Sequence, residues 1–325
     1  MAAISSTTPA TTYASPTPSR RMTLGFARAR RQWRGLSQNT RATLWMLLSF
    51  CFFTFEMIAT RMLGDSVPTA QLVLVRSAAQ LIVLTPFLIQ AGPAAFRTQH
   101  MRLHATRGLL SVLGFFAFFY SYSQLPLASA VSISFARNLF IVAFAALVLG
   151  EIVRWRRWTA TVIGLVGVLV IMRPGVQDLS PAYVVAVGGA AMGAAITLAT
   201  RALATREAPV QIMAYIAVFT TLGSLVPGLI AWKAPDAWQA FWLCVIGFFG
   251  PIGQYIAIRA FRLGEASALA PVDYARLLFA VGAGLIVFGE VPDRYTLAGA
   301  GIIIASTLYI TYREAVLARQ ARAAS

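Results

Sequence analysis

Three features of the chain predict an all-α polytopic membrane protein with ten transmembrane helices arranged as two inverted five-helix repeats. Apolar runs of about 18–24 residues recur along it, basic residues favour alternate connections, and the first half returns in the second. Of the 325 residues, 58% are hydrophobic and 12% charged, whereas a soluble domain carries about a quarter charged residues.

The runs are centred near residues 52, 80, 114, 138, 166, 192, 220, 249, 278 and 303, each long enough for a helix to cross roughly 30 Å of hydrocarbon. Before them, residues 1–41 are rich in Ser, Thr, Pro and Arg and hold no acid. That composition predicts a disordered basic cytoplasmic tail, and it also fits a targeting segment. The expected units are the tail 1–41, a first five-helix repeat over 42–173, a second over 181–312 and a cytoplasmic tail over 313–325.

Orientation follows from the basic residues. Of the 27 Lys and Arg, 20 lie in the tails and the even-numbered connections, four in the odd-numbered connections and three within spans. The positive-inside rule predicts both termini cytoplasmic, which agrees with the same-side termini that an even number of spans requires. The net charge of +16 is scattered over short loops, so it is a topology signal and predicts no nucleic-acid partner.

The repeat has a period near 139–140 residues. Ala59-Thr-Arg-Met-Leu63 returns as Ala199-Thr-Arg-Ala-Leu203, and Gln71-Leu as Gln211-Ile. Phe135-Ala-Arg137 and Leu149-Gly-Glu151 return, at one spacing, as Tyr274-Ala-Arg276 and Phe288-Gly-Glu290. Five spans per half is an odd number, so the second copy enters the membrane from the opposite side. Inverted repeats of this kind are typical of secondary transporters with a midplane site between the halves.

Five charges fall inside spans: Glu56, Arg76, Arg137, Asp273 and Arg276. At about 2.5–3.5 kcal/mol each on insertion scales, they should face the bundle interior or a wet cavity. Arg137 and Arg276 are repeat equivalents and the foremost candidates for a substrate site, since a guanidinium grips a carboxylate or phosphate in bidentate fashion; the structural alternative is backbone bonding at the repeat interface. Asp273 and Arg276 are three apart, a helical spacing that allows them to pair. Asp273 stands where the first half has Ser134, so it is read either as that ion pair or as a contact for a substrate amine.

Glu56 is the proton-coupling candidate, because a carboxylate within a span can titrate during transport; its alternative is a hydrogen bond to Arg76. The remaining substrate-binding candidates are Arg76, Tyr120, Gln254, Tyr255 and Tyr274. Glu151 and Glu290 are expected to accept amide hydrogens at the start of the following span. Gly164, Gly167, Gly188, Gly189, Gly193, Gly282 and Gly284 are expected to let helices approach closely.

Two cysteines, Cys51 and Cys244, each in a span, predict neither a disulfide nor a metal cluster. His100 and His104 lie in a basic loop without a neighbouring acid or thiol and are read as solvated. No cofactor is expected.

The blocks Leu125-Pro-Leu-Ala-Ser-Ala130 through Arg137 to Leu149-Gly-Glu151, and Ala268-Leu-Ala-Pro271 through Tyr274 and Arg276 to Phe288-Gly-Glu-Val-Pro-Asp293, resemble EamA-type members of the drug/metabolite transporter superfamily. The resemblance covers roughly residues 42–314. It implies a ten-helix carrier with a central cavity, multi-pass in the cell inner (plasma) membrane. Within the family, Arg107-Gly-Leu-Leu, Gly114-Phe-Phe and the pattern Ala270-Pro-Val-Asp-Tyr274 are most similar to S-adenosylmethionine carriers, with Asp273 a departure.

The function expected is secondary transport of a small carboxylate-bearing or zwitterionic metabolite, an amino acid or related compound, by alternating access; S-adenosylmethionine or riboflavin is the alternative. A membrane-embedded enzyme would need more acids or metal ligands than the spans hold, and a channel would need a continuous polar stripe. The expected partners are a small-molecule substrate and the lipid bilayer, with proton coupling and a homodimer left open.

Overall fold

The computed structural model describes residues 36–149, 155–173, 180–204, 206–263, 269 and 272–324. Glu151, most of the N-terminal tail and Pro271 lie outside them. All regular elements among the described residues are helical: α1 (Gln38–Leu63), α2 (Thr69–Ala91), α3 (Met101–Gln124), α4 (Leu127–Ser134), α5 (Arg137–Leu149), α6 (Trp155–Met172), α7 (Pro181–Ala204), α8 (Pro209–Ile230), α9 (Ala237–Leu263), α10 (Ala275–Phe288) and α11 (Arg294–Ala324). Seven stretches are long and apolar enough to cross a membrane, the combined segment 127–144 among them. Three shorter apolar helices, Trp158–Met172, Ala275–Phe288 and Arg294–Ile310, stand beside them.

Local chemistry sets the ends. Ser37 accepts from the Thr40 amide at 3.1 Å and caps α1, while Pro209 opens α8, where a missing amide costs nothing. Gly289 closes α10 in the left-handed conformation at φ 66°, which a residue with a Cβ adopts only with strain.

The packing obeys an exchange of halves. Swapping the repeats turns the α1–α9 contact into the α7–α3 contact, and both are extensive; α2–α8 and α6–α11 map onto themselves. The equivalent glutamines show the sense of the operation. Gln71, at the start of α2, donates from Nε2 to the Lys233 carbonyl just past α8 (2.9 Å) and accepts from the Lys233 amide (3.2 Å). Gln211, at the start of α8, donates to the Arg97 carbonyl just past α2. Each helix begins where its repeat mate ends, so α2 and α8 run antiparallel.

Because lipid is as apolar as leucine, helices associate by close packing and polar contacts more than by hydrophobic burial. Gly167 on α6 and Gly299 on α11 face each other closely enough that a methyl added at Gly299 would stand 2.5 Å from the Gly167 carbonyl. Gly164 and Gly193 likewise admit the side chains of Leu139 and Arg137. Gly188 and Gly282 face open space, against expectation.

The fourth and ninth apolar segments are interrupted at matching places. In the first, helix gives way to a turn at Phe135 and Ala136, carried by short-range bonds from the Phe135 amide to Ser132 O (3.2 Å) and from the Ala136 amide to Ile133 O (2.9 Å). Ser132 and Ser134 turn their hydroxyls back onto the carbonyls of Ala128 and Val131, both at 2.7 Å, competing with the helical amides. In the second, the turn falls at Tyr274, with the Leu277 amide bonded to Tyr274 O at 3.0 Å. A tight turn inside a long helix is a common mark of a hinge or a functional site.

Candidate functional site

The two interruptions bring the repeat-related arginines to the starts of half-helices. Arg137 is the first residue of α5 and Arg276 the second of α10. Their environments differ. Arg137 Nη2 lies 3.2 Å from Asp273 Oδ2, an ion pair between the two halves whose side chains are 33% and 25% exposed. Both side chains of the pair are therefore partly accessible. Gly193 on α7 leaves room for the Arg137 stem, since a methyl there would come within 3.1 Å of Cδ.

Arg276 donates from Nη2 to the Tyr122 hydroxyl at 3.2 Å, and its Nε is buried without a partner. Among the described residues no carboxylate lies within ion-pair distance of it. The expected Asp273–Arg276 pair is therefore replaced by a pair across the repeat. The turn at Tyr274 falls between the two residues and breaks the helical register that would have brought them together. Tyr122 also bonds to Ser134, the repeat counterpart of Asp273, so the second arginine meets a neutral phenol and hydroxyl where the first meets a carboxylate. Tyr274 packs its ring edge-on against Phe135 (5.1 Å) and bonds to Thr307 and Asn138.

Arg76 and Glu56 form a second network, close enough for Glu56 to act on Arg276 and Tyr122 electrostatically. Their side chains are 5% and 2% exposed and pair at 3.2 Å. Arg76 also donates to Gln80 Oε1 (2.6 Å) and Gln254 Oε1 (2.8 Å), and its guanidinium covers the Phe115 ring at 4.2 Å. Gly250 makes the space that the Glu56 carboxylate occupies. Arg76 and Gln254 are thus committed to each other, and Glu56 has the hydrogen bond to Arg76 that was its structural alternative. Tyr255 packs against Phe87 at 5.4 Å, and Tyr120 is half-buried against the largest core cluster.

Each end of the bundle carries a lock that local sequence did not announce. At one, Arg61 grips Glu290 (3.1 Å) and the Ser123 carbonyl (2.7 Å), while Glu290 accepts the Leu127 amide at 3.0 Å. Glu290 does cap a helix start, but that of α4 in the other half. A cavity of about 310 Å3 opens beside this lock, lined by Ser129, Arg173, Tyr183, Asp293 and Thr296; neither Arg137 nor Arg276 borders it.

At the other end, Glu207 joins Thr98 and the imidazole of His104, whose ring stacks on Tyr215 at 4.2 Å. His104 is 2% exposed inside α3, not solvated, because the fold supplies from the second half the acid its own loop lacks. Burial opposes ionisation of Glu207, but bonds from Thr98 and His104 and the nearby imidazoles outweigh it and hold the carboxyl below its usual range.

Fold and site together define a polytopic membrane protein whose two antiparallel halves meet at charged, interrupted helices. The chain belongs to the EamA-like transporter family, whose model matches residues 40–173 and again 180–312. It is 30% identical over 270 residues to the S-adenosylmethionine uptake transporter of Rickettsia prowazekii, covering 83% of this chain and 92% of that one. It is 28% identical over 288 residues to the riboflavin transporter of Vibrio cholerae, with 87% and 96% covered. A crystal structure 21% identical superposes with a TM-score of 0.58 over 86% of this chain and 98% of that one, a likeness of fold.

Proposed function

We propose that this chain is a secondary transporter that moves a small carboxylate-bearing, zwitterionic metabolite across the inner membrane by alternating access, with both termini cytoplasmic. The observation that carries the reading is the unequal treatment of two equivalent arginines. Among the described residues, the only direct side-chain hydrogen bond of Arg276 is to the Tyr122 phenol; Asp273 and Glu56 act on it from beyond ion-pair distance, and its unpartnered Nε leaves it able to take a carboxylate in bidentate fashion. Asp273, held at 3.2 Å by Arg137, can exchange that partner for an incoming ammonium. Because the Arg137–Asp273 pair ties one half to the other, releasing it couples substrate binding to movement of the halves, as alternating access requires.

A second reading is supported by the Rickettsia relative: S-adenosylmethionine bears the same amino-carboxylate head and would use the same two contacts. Ligand-dependent thermal stability of the purified protein, across amino acids, organic acids, riboflavin and S-adenosylmethionine, separates the readings. At ten times its dissociation constant a ligand adds about 1.4 kcal/mol. A stabilising amino-carboxylate compound whose effect disappears in Arg276→Ala supports the assignment; stabilisation that persists in that variant removes it.

Proton coupling through Glu56 belongs to the same proposal. Transport by Glu56→Gln should no longer respond to an imposed pH gradient, and an unchanged response would make Glu56 structural. Cysteine labelling should find residue 65 extracytoplasmic and residue 206 cytoplasmic; the opposite pattern would reverse the orientation.

A further inference from the structure

We infer that positions 134 and 273, repeat equivalents that differ in charge, select the overall charge of the transported solute; this rests on the zwitterion reading above. The two positions are the polar neighbours of the paired arginines. Asp273 Oδ2 stands 3.2 Å from Arg137 Nη2, whereas Ser134 reaches Arg276 through the Tyr122 hydroxyl, itself 3.2 Å from Arg276 Nη2. Glu56 also acts on Arg276, but it carries Arg76 with it as a directly bonded pair and so leaves the net count unchanged.

The site therefore holds two guanidinium groups and one carboxylate, an excess of one positive charge beside the partly exposed Arg137–Asp273 pair. A serine at 134 leaves that excess for the substrate carboxylate. An acid at 134 would cancel it and favour a solute carrying one more positive charge, and removal of the acid at 273 would do the reverse. The substitution pattern is open to the fold, because Ser134 in one half and Asp273 in the other are each the last helical residue before the turn.

Methionine and S-methylmethionine are suitable probes: they share the amino-carboxylate head and differ by one methyl and one positive charge. Their dissociation constants are measured by thermal shift on the purified parent and on Ser134→Asp, Ser134→Asn and Asp273→Asn. The ratio of the two constants should move toward S-methylmethionine by roughly tenfold or more in Ser134→Asp, the order expected of one unit charge a few ångströms away in a partly desolvated site. It should stay within about twofold of the parent in Ser134→Asn, which has the same size without the charge, and move toward methionine in Asp273→Asn.

Equal ratios in Ser134→Asp and Ser134→Asn overturn the inference while leaving the transporter reading intact. If Ser134→Asp does not fold, the Asp273→Asn ratio decides: an unchanged ratio overturns the inference and a shift toward methionine upholds it. A parent that binds neither probe overturns both the inference and the zwitterion reading.

Discussion

The arginine of the first half is paired with a carboxylate and the equivalent arginine of the second half is not. Arg137 is balanced by Asp273 from across the interface, while Arg276, at the equivalent place, is met by Tyr122 and Ser134. A duplicated fold supplies two similar positions at similar depth, and a single side-chain difference then converts one into a compensated, cross-linking charge and the other into an open one. The lesson is that the repeat builds the framework and its departures from symmetry build the candidate site.

The largest expected effect tests that inequality. Arg276→Ala should weaken binding of the substrate by about 2–5 kcal/mol, as truncation of a desolvated charge contact does. Arg137→Ala should lose transport through a different route, by freeing Asp273 and unlinking the halves, with a smaller loss of affinity for the carboxylate. Binding titrations on the two variants that give equal losses would erase the distinction between the arginines.

The next effect concerns the closed network, which has no counterpart in the other half. Glu56→Ala should destabilise the protein by about 3–5 kcal/mol, since it strands Arg76 in a dry interior. Thermal unfolding measures it, and a loss under 1 kcal/mol would mean that Gln80 and Gln254 satisfy Arg76 unaided. Gly250→Ala should be destabilising as well, because the added methyl would enter the volume of the Glu56 carboxylate.

The two end locks should respond more weakly. The Arg61–Glu290 side chains are 25% and 19% exposed, so Glu290→Gln should cost about 1 kcal/mol, measured in the same unfolding experiment. For Glu207 the effect is one of pH. Its folded-state pKa is depressed below the ordinary 4.5, so the stability it contributes is present above that value and is lost as pH falls through the lower folded value. Acid-unfolding curves of Glu207→Gln should be flatter than those of the parent below pH 4.5, and identical slopes would show that the carboxyl is unperturbed.

Much of the framework was legible in the order of residues. Apolar run length reports how far a helix can reach through lipid, and the repeated Ala-Thr-Arg, Gln and Ala-Arg elements mark equivalent places. These are local properties that survive without knowledge of the neighbours. The arginines at 137 and 276 could be found because a charge in an apolar run is costly wherever it ends up.

Partnership was not legible, because it is decided by approach between segments far apart in the chain. Helical spacing joined Asp273 to Arg276, but the turn at Tyr274 breaks that register, and the first half brings Arg137 to the acid instead. His104 read as solvated because Glu207 stands 103 residues away. Glu290 could be seen as a cap, yet only the fold says that it caps α4, a helix start 163 residues earlier in the chain.

The sequence by itself determined that this chain is helical, crosses a membrane and is made of two related halves, because hydrophobicity and self-similarity are read one segment at a time. Only the tertiary structure decided which charges are satisfied and which arginine stays open. Ion pairing falls off steeply with distance, and those distances exist only once the antiparallel halves have closed on each other.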